Sequence, residues 1–391
     1  MRVFLIILDS VGVGEAPDAA DFGDTGAATL PHLAEAVGGL RAPTLQRLGL
    51  GNIPDLLPQG RPIRGVSPIA TPLASFGALQ ERSRGKDTTT GHWELAGLLL
   101  DHPFHVFPPG PPAFPPDLVR AFEQGTGRRL IGNRAASGTA IIQELGEQHL
   151  REGAFIAYTS ADSVFQIAAH TDIVPLSELY RACEWARKLL NPLRVGRVIA
   201  RPFRGKPGAF ERTPDRRDYS FPLPEPTVLD RLSQAGHPVT LVGKLEDIFA
   251  RRGYTQSYHT TDNSTSQARL LALVHDQPAG LVMANLIDFD MLYGHRRDAR
   301  GYAAALEQTD AFLAEFIPLL GQDDTLILAA DHGNDPTFRG TDHTREYTPL
   351  LVYQPGRSAR NLGIRQGFFD VAQSLASRFG IPPMPRGVAF L

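Results

Sequence analysis

Three apolar segments of this chain each end abruptly in an acidic residue. The three pairs are residues 2–8 with Asp9, residues 280–287 with Asp288 and Asp290, and residues 325–330 with Asp331. Short apolar runs of this kind are typical of strands buried in a parallel sheet. Because open α/β folds bind ligands at the carboxyl ends of their strands, the pattern predicts an α/β fold whose acids meet at one sheet edge.

Histidines follow two of these acidic positions closely. His295 comes shortly after the second segment, and His332 and His343 follow the third. Carboxylate oxygens combined with imidazole nitrogens, without thiolates, suit Mn, Zn or Mg. A lone Asp after a strand is usually a turn residue or a helix cap, but three repeats of the pattern favour a metal site. The sequence therefore predicts a two-metal phosphoryl-transfer site, and spacing alone does not choose between Asp288 and Asp290.

Composition sets the broad class of protein. The 391 residues are 42% hydrophobic and 21% charged, values typical of a globular protein, and the length favours two domains. A formal net charge of −3 offers no general attraction for nucleic acid or for an anionic membrane. Cys183 is the single cysteine, so no disulfide can form within the chain. The apolar run before Asp9 is too short for a signal peptide. We therefore expect a cytoplasmic protein that binds neither nucleic acid nor a membrane.

Two proline-rich stretches, residues 102–116 and 221–226, divide the chain. Proline excludes both from helix interiors and central strands, so each could be a surface loop. Together, however, they enclose a domain-sized segment that contains none of the strand-ending acids. We therefore expect a smaller inserted α/β cap domain at residues 102–224, carried by a core made of residues 1–101 and 225–391. The core alternates strand and helix patterns, which predicts a mostly parallel central sheet flanked by helices.

A further strand is expected at residues 238–243, followed by a helix at residues 247–252. Lys244 directly follows this strand and is predicted to lie at the same sheet edge as the acids. An ammonium group at that edge is a plausible charge partner for phosphoryl oxygens that are not bound to metal. Lys86 is a second candidate, although a solvated surface lysine explains it equally well.

The segment GKDTTTGHWE at residues 85–94 carries three consecutive hydroxyls at residues 88–90. It forms a polar turn that opens towards a helix expected to begin at Glu94. A hydroxyl beside helix-terminal amides and metal ions is favoured as an alkoxide nucleophile. A hydroxyl-rich turn with a helix cap accounts for the same residues equally well, and chemistry alone does not choose among the three threonines.

Several long motifs resemble the phosphopentomutase family of the alkaline phosphatase superfamily. They lie at residues 8–24, 85–94, 158–169, 288–298, 330–337 and 341–346. The resemblance covers nearly the whole chain, including the proposed insert. It implies an alkaline-phosphatase-like core and a metal-dependent mutase activity.

The same resemblance implies roles for individual residues. It makes Thr88 the nucleophile that becomes phosphorylated. Lys244, from its place at the sheet edge, is the expected catalytic charge partner. It chooses Asp290 rather than Asp288 as a ligand and implies two divalent metal ions, typically manganese. The implied ligand sets are Asp9, Asp331 and His332 for one ion, and Asp290, His295 and His343 for the other.

The implied substrates are small pentose phosphates. Phospho-Thr88 would transfer its phosphoryl group between C1 and C5 of ribose or deoxyribose, through a bisphosphate that also activates the enzyme. Such a mutase must keep water away from the phosphoenzyme, and a mobile second domain that closes over the site would achieve this.

The proposed insert contains a dense run of arginines. Guanidinium groups bind phosphate bidentately, although most runs of like charge are simply solvated surfaces. By resemblance, the best candidates for binding the distal phosphate are Arg197, Arg201 and Arg212. Ser160 and Asp162 are the candidates for the sugar hydroxyls or for the closed state.

Three other functions fit parts of the pattern. A cofactor-independent phosphoglycerate mutase shares the metal pattern, but normally has a serine nucleophile and a much longer chain. A plain phosphatase shares the metals but needs no closing insert. A non-catalytic polyanion-binding protein would use the arginines, but the slight negative charge and the six intact ligands argue against it.

Overall fold

A computed structural model describes residues 1–160, 163–276 and 279–391. The chain divides into two compact units. The first comprises Met1–His102 and Pro224–Leu391, and the second comprises Pro103–Leu223. Each unit has its own sheet and its own core, and each is described separately below.

The strands are numbered in chain order. They are β1 (Arg2–Leu8), β2 (Gly14–Glu15), β3 (Ser75–Leu79), β4 (Leu130–Ala135), β5 (Phe155–Thr159), β6 (Val164–His170), β7 (Arg197–Lys206), β8 (Ala209–Arg212), β9 (Arg217–Ser220), β10 (Val239–Val242), β11 (Gln256–Tyr258), β12 (Gly280–Leu286), β13 (Thr325–Ala329), β14 (Glu346–Tyr353) and β15 (Asn361–Arg365).

The α-helices are α1 (Thr29–Ala36), α2 (Pro43–Leu48), α3 (Thr88–Leu95), α4 (Pro116–Thr126), α5 (Gly138–Glu152), α6 (Leu176–Leu190), α7 (Val228–Gln234), α8 (Leu245–Ile248), α9 (Asn263–Asp276), α10 (Ala299–Phe316) and α11 (Phe369–Phe379). A π-helical turn at Phe289–Gly294 follows β12. Within the described ranges, no helix combines the length and the apolar composition that a bilayer crossing requires.

The sheet of the first unit has the strand order β11-β10-β12-β1-β13-β14-β3-β15. The five strands from β11 to β13 are mutually parallel, while β14 runs antiparallel to both of its neighbours. Leu8 pairs with Leu286 of β12, and Ile7 pairs with Ala329 of β13. The carboxyl ends of these three central strands therefore lie side by side, at the edge where the sequence predicted the acids to meet.

Helices bury their apolar faces against this sheet. Phe4 of β1 packs edge-on against Phe316 of α10, with the ring centroids 5.1 Å apart. Leu306 and Leu313 of α10 belong to the same buried cluster, together with residues of α1 and α2. Contacts of this kind remove apolar surface from water and hold the strand ends in register. The α/β class expected from the sequence is confirmed.

The sheet of the second unit has the order β4-β5-β6-β7-β8, and β9 pairs with the start of β7. Phe114, Phe122 and Phe165 belong to a buried cluster that also includes residues of α6. A second cluster joins residues of α5 to Phe203 and Phe210. The two clusters hold helices and sheet together within this unit.

Two helix predictions differ from the structure. The helix expected at residues 247–252 is instead the short α8, because Ala250 and Arg251 adopt left-handed φ values of 49° and 59°. Such residues cannot continue a right-handed helix. The helix expected from Glu94 begins six residues earlier, at Thr88, because the Asp87 side chain accepts a bond from the Thr90 N–H and caps it there.

Candidate active site

The six residues predicted as metal ligands all lie in the first unit, at the carboxyl edge of its sheet. Asp9 follows β1, Asp331 and His332 follow β13, Asp290 and His295 lie in and directly after the π-helical turn, and His343 precedes β14. The fold therefore brings together residues that are more than 300 positions apart in sequence.

One group of side chains joins Asp290 to His295 and His343. His295 Nε2 lies 3.1 Å from Asp290 Oδ2, and His343 Nε2 lies 3.3 Å from Asp290 Oδ1. The two Nε2 atoms are 3.2 Å apart. His295 Nδ1 donates to the Thr341 carbonyl, which can only accept, so Nε2 of the neutral ring carries a lone pair. Lone pairs that converge in this way fit a bound cation.

A second group surrounds His332. Its Nε2 lies 3.5 Å from Asp9 Oδ1 and 3.2 Å from Asp331 Oδ2. Its Nδ1 donates to the Gly333 carbonyl, so Nε2 is again left with a lone pair directed at carboxylate oxygens. The His332 ring stacks on the His343 ring with the centroids 3.9 Å apart, which brings the two groups next to each other.

Among the described residues, two triplets place their ligand atoms within 4.8 Å of one another. The triplets are Asp290 with His295 and His343, and Asp9 with Asp290 and His332. Asp290 belongs to both, so it lies between the two candidate ion positions. The predicted ligand set placed Asp331 with Asp9 and His332, whereas the closest triplet contains Asp290 in that place.

Two buried carboxylate oxygens without hydrogen-bond partners also fit a metal centre. Asp9 Oδ1 and Asp331 Oδ2 are buried and have no hydrogen-bond partner in the part of the chain that the structure describes. Buried polar atoms are rarely left without a partner, because desolvation without compensation is costly. Oxygen donors beside imidazoles form the donor set that Mn²⁺ and Zn²⁺ accept, so the residues present fit a divalent cation.

The shifted pKa values of the site also indicate that its carboxylates require nearby positive charge. Burial raises the pKa of Asp9 well above its ordinary value, and the nearby Asp331 and Asp290 carboxylates raise it further. Burial also acts to raise the pKa of Asp290, but the charges of His343 and the hydrogen bond from His295 outweigh it and hold that pKa well below normal. The hydrogen bond to Asp290 raises the pKa of His295 to about 9. Cations would relieve the repulsion among these carboxylates.

Two asparagines orient the carboxylates. Asn285 Nδ2 donates to Asp9 Oδ2 over 2.7 Å, and Asn334 Nδ2 donates to Asp290 Oδ1 over 2.7 Å. Neither asparagine was among the residues predicted from sequence. Asn285 offered a signal, since it is the single amide in an otherwise apolar strand. Asn334 offered none, because its bond depends on how two separate strand ends meet.

Ser10 fixes the backbone beside Asp9. It adopts a left-handed φ of 70°, which is uncommon for a residue other than glycine. Its N–H donates to Asp331 Oδ1 over 3.1 Å, and its carbonyl accepts from the Tyr302 hydroxyl and the Asn334 N–H. Residues held in such conformations cluster at functional sites, where the surroundings hold them in place.

Thr88 is the first residue of α3, and its side chain faces the ligand cluster. Its Oγ1 lies 3.2 Å from His332 Nε2. The Thr90 hydroxyl instead donates to the Asp87 carboxylate. The N-terminus of a helix favours negative charge, so an alkoxide or a phosphate is stabilised at Thr88.

Charged residues anchor the loop before Thr88. Arg345 is buried and pairs with Asp18 over 2.9 Å and with Glu81 over 2.5 Å, and it donates to the Gly85 carbonyl over 2.6 Å. Lys86 Nζ pairs with Asp24 over 2.9 Å. Arg345 was not predicted from sequence, because its partners are distant along the chain.

Lys244 lies two residues after the end of β10, at the same sheet edge as the proposed ligands. Its Nζ lies 3.6 Å from Met291 Sδ, in the π-helical turn that carries Asp290. Burial raises the pKa of Asp288, while the charge of Lys244 acts in the opposite direction. Asp288 accepts a bond from the Asn263 N–H over 2.9 Å, which separates its role from that of Asp290.

In the second unit, Arg201 lies close to two other arginines. Its Nε donates to Gln166 Oε1 over 3.1 Å. Burial lowers the pKa of Arg201, and the charges of Arg216 and Arg212 lower it further. The same three guanidinium groups act on the Tyr158 hydroxyl, whose pKa burial raises. Arg216 is paired with Asp218 over 2.6 Å, and the positive charge that remains around the buried phenol is suited to binding an anion. Arg216 was not singled out from sequence.

The other predicted substrate residues are less tightly grouped. Arg197 is the first residue of β7, and its guanidinium lies 3.9 Å from Asp218. Ser160 follows β5 and is half-buried. Asp162 lies outside the described residues.

The profile of the metalloenzyme superfamily matches residues 1–383 of this chain. Two relatives, each a phosphopentomutase, are similar over nearly their full length. The protein from Caldanaerobacter subterraneus subsp. tengcongensis is 51% identical over 100% of this chain and 97% of its own. The protein from Anaeromyxobacter sp. strain K is 53% identical over 97% of this chain and 96% of its own.

A solved structure of phosphoglycerate mutase from Leishmania mexicana shares the fold. Its TM-score is 0.51 at 11% identity, over 99% of this chain and 96% of that one. A sequence identity this low supports a shared fold and no conclusion about function. The expected alkaline-phosphatase-like fold and the expected family are both confirmed. The chain therefore belongs to the phosphopentomutase family, a group of enzymes within the metalloenzyme superfamily.

Proposed function

We propose that this enzyme interconverts the 1-phosphate and 5-phosphate of ribose or deoxyribose, through a phosphothreonine at Thr88. The observation that carries the proposal is the position of the Thr88 hydroxyl, 3.2 Å from His332 Nε2 at the start of a helix. A nucleophile, an anion-stabilising helix end and a cluster of metal-binding side chains are the parts that phosphoryl transfer requires.

The transfer balances at each step. The bond between phosphorus and Thr88 Oγ1 breaks as a bond forms between phosphorus and the free hydroxyl oxygen of a pentose monophosphate. That hydroxyl loses its proton, and Thr88 Oγ1 takes up a proton as it leaves. The resulting pentose bisphosphate then returns its other phosphoryl group to Thr88 Oγ1, which loses its proton, and the pentose oxygen that is released gains one. A trace of bisphosphate would phosphorylate Thr88 in resting enzyme and so activate it.

Six side chains would hold two divalent ions, which we propose to be Mn²⁺. Asp9, Asp331 and His332 would hold one, and Asp290, His295 and His343 the other. The shared position of Asp290 between the two groups supports closely spaced ions. When bound, such ions supply positive charge to the phosphoryl oxygens and favour ionisation of the attacking hydroxyl.

The chain's other polar residues would bind the substrate. We propose that residues 102–224 act as an inserted substrate-binding domain and that Lys244 neutralises a phosphoryl oxygen of the reacting group. Within the insert, the proposed contacts to the distal phosphate and the sugar hydroxyls come from Ser160, Asp162, Arg197, Arg201 and Arg212. The proximity of Arg201 to Arg212 and Arg216 supports phosphate recognition there. We propose a cytoplasmic reaction, because the single Cys183 suits a reducing compartment.

A coupled assay tests the proposal. Conversion of ribose 1-phosphate to ribose 5-phosphate would be measured with Mn²⁺ and a trace of pentose bisphosphate, on the unaltered enzyme and on Thr88→Ala. We expect conversion that requires both additions and is lost in the variant. Release of inorganic phosphate in place of the isomer would indicate a phosphatase and contradict the proposal.

A further inference from the structure

His92 lies on the same helix as Thr88 and touches the metal-ligand cluster. Its side chain is fully buried, one helical turn after Thr88. Its Nδ1 atom lies 2.8 Å from the Thr88 carbonyl oxygen and 3.0 Å from Asp331 Oδ2. One ring nitrogen thus contacts both the backbone of the nucleophile and a carboxylate of the site.

The backbone of α3 approaches Asp331 closely at the neighbouring residue. A Cβ atom at Gly91 would lie 2.0 Å from the Asp331 carbonyl oxygen and 2.7 Å from its carbonyl carbon, so no larger residue fits there without movement. Gly91 and His92 therefore form consecutive contacts between the helix of Thr88 and the end of β13.

The hydrogen bond to Thr88 shows which ring nitrogen of His92 carries the hydrogen. A carbonyl oxygen can only accept, so Nδ1 carries a hydrogen and donates it to the Thr88 carbonyl. Nε2 is buried and has no hydrogen-bond partner among the residues that the structure describes. The other oxygen of Asp331, Oδ1, accepts from the Ser10 N–H over 3.1 Å. Asp331 Oδ2 lies 3.0 Å from His92 Nδ1 and has no hydrogen bond within the described residues, so His92 is its nearest nitrogen contact from α3.

We propose that His92 is a positioning residue, whose Nδ1–H bonds the carbonyl of Thr88 and whose ring lies against the carboxylate of Asp331. These two contacts hold the nucleophile in register with the metal ligands and position Asp331 for metal binding. This inference rests on the proposed function, in which Thr88 is the nucleophile and Asp331 is a ligand. Partners in this position typically contribute 10- to 100-fold, by order of magnitude, to metal affinity or activity.

Two amide variants separate this role from simple packing. In His92→Asn, the side-chain nitrogen takes the place of Nδ1 and keeps the donor. In His92→Gln, the nitrogen takes the place of Nε2, which has no partner in the described structure. Both side chains are polar, flexible and smaller than or similar to imidazole, so a packing defect would affect both.

The experiment uses the full chain and two readouts. Titration calorimetry gives the Mn²⁺ affinity of the unphosphorylated protein, and intact-protein mass spectrometry gives the rate at which a pentose bisphosphate phosphorylates it. We expect the Gln variant to lose roughly 10- to 100-fold in both quantities, and the Asn variant to retain most of both. Equal losses in the two variants, or no loss in either, would overturn the role of His92.

Nitrogen NMR of the unaltered protein gives an independent check that needs no variant. Selective labelling of histidine reports which ring nitrogen of His92 carries the proton. We expect the proton on Nδ1, and a proton on Nε2 would overturn the inference. If the unaltered protein bound no Mn²⁺ and accepted no phosphoryl group, the proposed function itself would fail, whatever the variants did.

Discussion

The hydroxyl oxygen of Thr88 lies 3.2 Å from Nε2 of His332, where the first turn of α3 meets the carboxyl end of β13. These residues are 244 positions apart in sequence, and the close packing of α3 against the end of β13 brings them together. A hydroxyl in this position faces a nitrogen lone pair and, beyond it, the carboxylates of Asp9 and Asp331. The predictions below test what this arrangement implies.

Removing the amide of Asn285 should weaken metal binding. Asn285 Nδ2 donates to Asp9 Oδ2 over 2.7 Å, so Asn285→Leu leaves that carboxylate without its orienting donor. We expect the Mn²⁺ affinity, measured by titration calorimetry, to fall roughly 10- to 100-fold. Asn52→Leu is the matched control, because its amide bonds the Ile69 backbone, and it should change melting temperature rather than Mn²⁺ affinity. An unchanged affinity in the Asn285 variant would contradict the orienting role.

Mn²⁺ binding should release protons at neutral pH. The pKa of His295 is raised to about 9 in the metal-free protein, chiefly by its hydrogen bond to Asp290. The ring is therefore protonated at pH 7.5 and must lose its proton before Nε2 can bind a metal. Apparent affinity should rise by up to about tenfold per pH unit between pH 7 and 9, then level off.

Calorimetry in two buffers of different ionisation enthalpy measures this release directly. We expect a binding enthalpy that depends on the buffer at pH 7.5 and a smaller dependence in His295→Asn. Equal enthalpies in both buffers for the unaltered protein would show that His295 is neutral before the metal binds.

The buried carboxyl of Glu346 should make stability fall as pH rises. Burial, and then the charge of Asp335, raise its pKa from 4.5 to about 7. Between pH 4.5 and about pH 7, the Glu346 carboxyl is therefore protonated in the folded state and ionised in the unfolded state. By linkage, the free energy of unfolding decreases from about pH 4.5 to about pH 7, by roughly 3 kcal/mol in total, and this group adds no further change above that range.

Glu346→Gln should remove this contribution. The Gln oxygen can accept from the Thr29 and Gly14 N–H groups, and its amide can donate to the Thr29 and Thr344 hydroxyls that now donate to Glu346. Denaturant unfolding with excess chelator, from pH 4.5 to 8, should give a flatter profile for the variant. The exposed Glu225→Gln serves as the control and should follow the unaltered protein. Parallel profiles for all three proteins would mean that Glu346 is ionised throughout.

Arg201 should affect substrate binding but not metal binding. It is half-buried beside Arg212 and Arg216, so Arg201→Ala removes a guanidinium from the proposed phosphate site. We expect KM for the pentose phosphate to rise by roughly tenfold or more, with Mn²⁺ affinity unchanged. Arg204→Ala, an exposed position on the same strand, should change neither quantity. A similar KM for the two variants would place the phosphate elsewhere.

Much of the candidate site could be predicted from sequence, because the pattern that marks it is local. Each of β1, β12 and β13 is a short apolar run that ends in an acid, and parallel neighbours bring such ends together without further detail. The choice between Asp288 and Asp290 was not local. It depends on the π-helical turn at Phe289–Gly294, which directs Asp290 towards His295, while Asp288 bonds the Asn263 backbone.

The supporting residues could not be read from the sequence for a related reason. The contacts of His92, Asn334 and Arg345 with distant carboxylates depend on strand register and loop packing, so nothing nearby in sequence marks them. The start of α3 was placed at Glu94 because the three hydroxyl residues before it were interpreted as a polar turn. The Asp87 cap and the burial of Trp93 and its neighbours instead favour a helix that begins at Thr88.

The most direct test of the account is to locate the phosphoryl group on the protein. The unaltered enzyme, incubated with Mn²⁺ and pentose bisphosphate, would be quenched in acid, digested and sequenced by tandem mass spectrometry. Thr88→Val and Thr89→Val would be treated in parallel. The account predicts one phosphate on Thr88, retained in Thr89→Val and absent from Thr88→Val. Phosphate on Thr89, Thr90 or a histidine, or a labelled Thr88→Val protein, would contradict it.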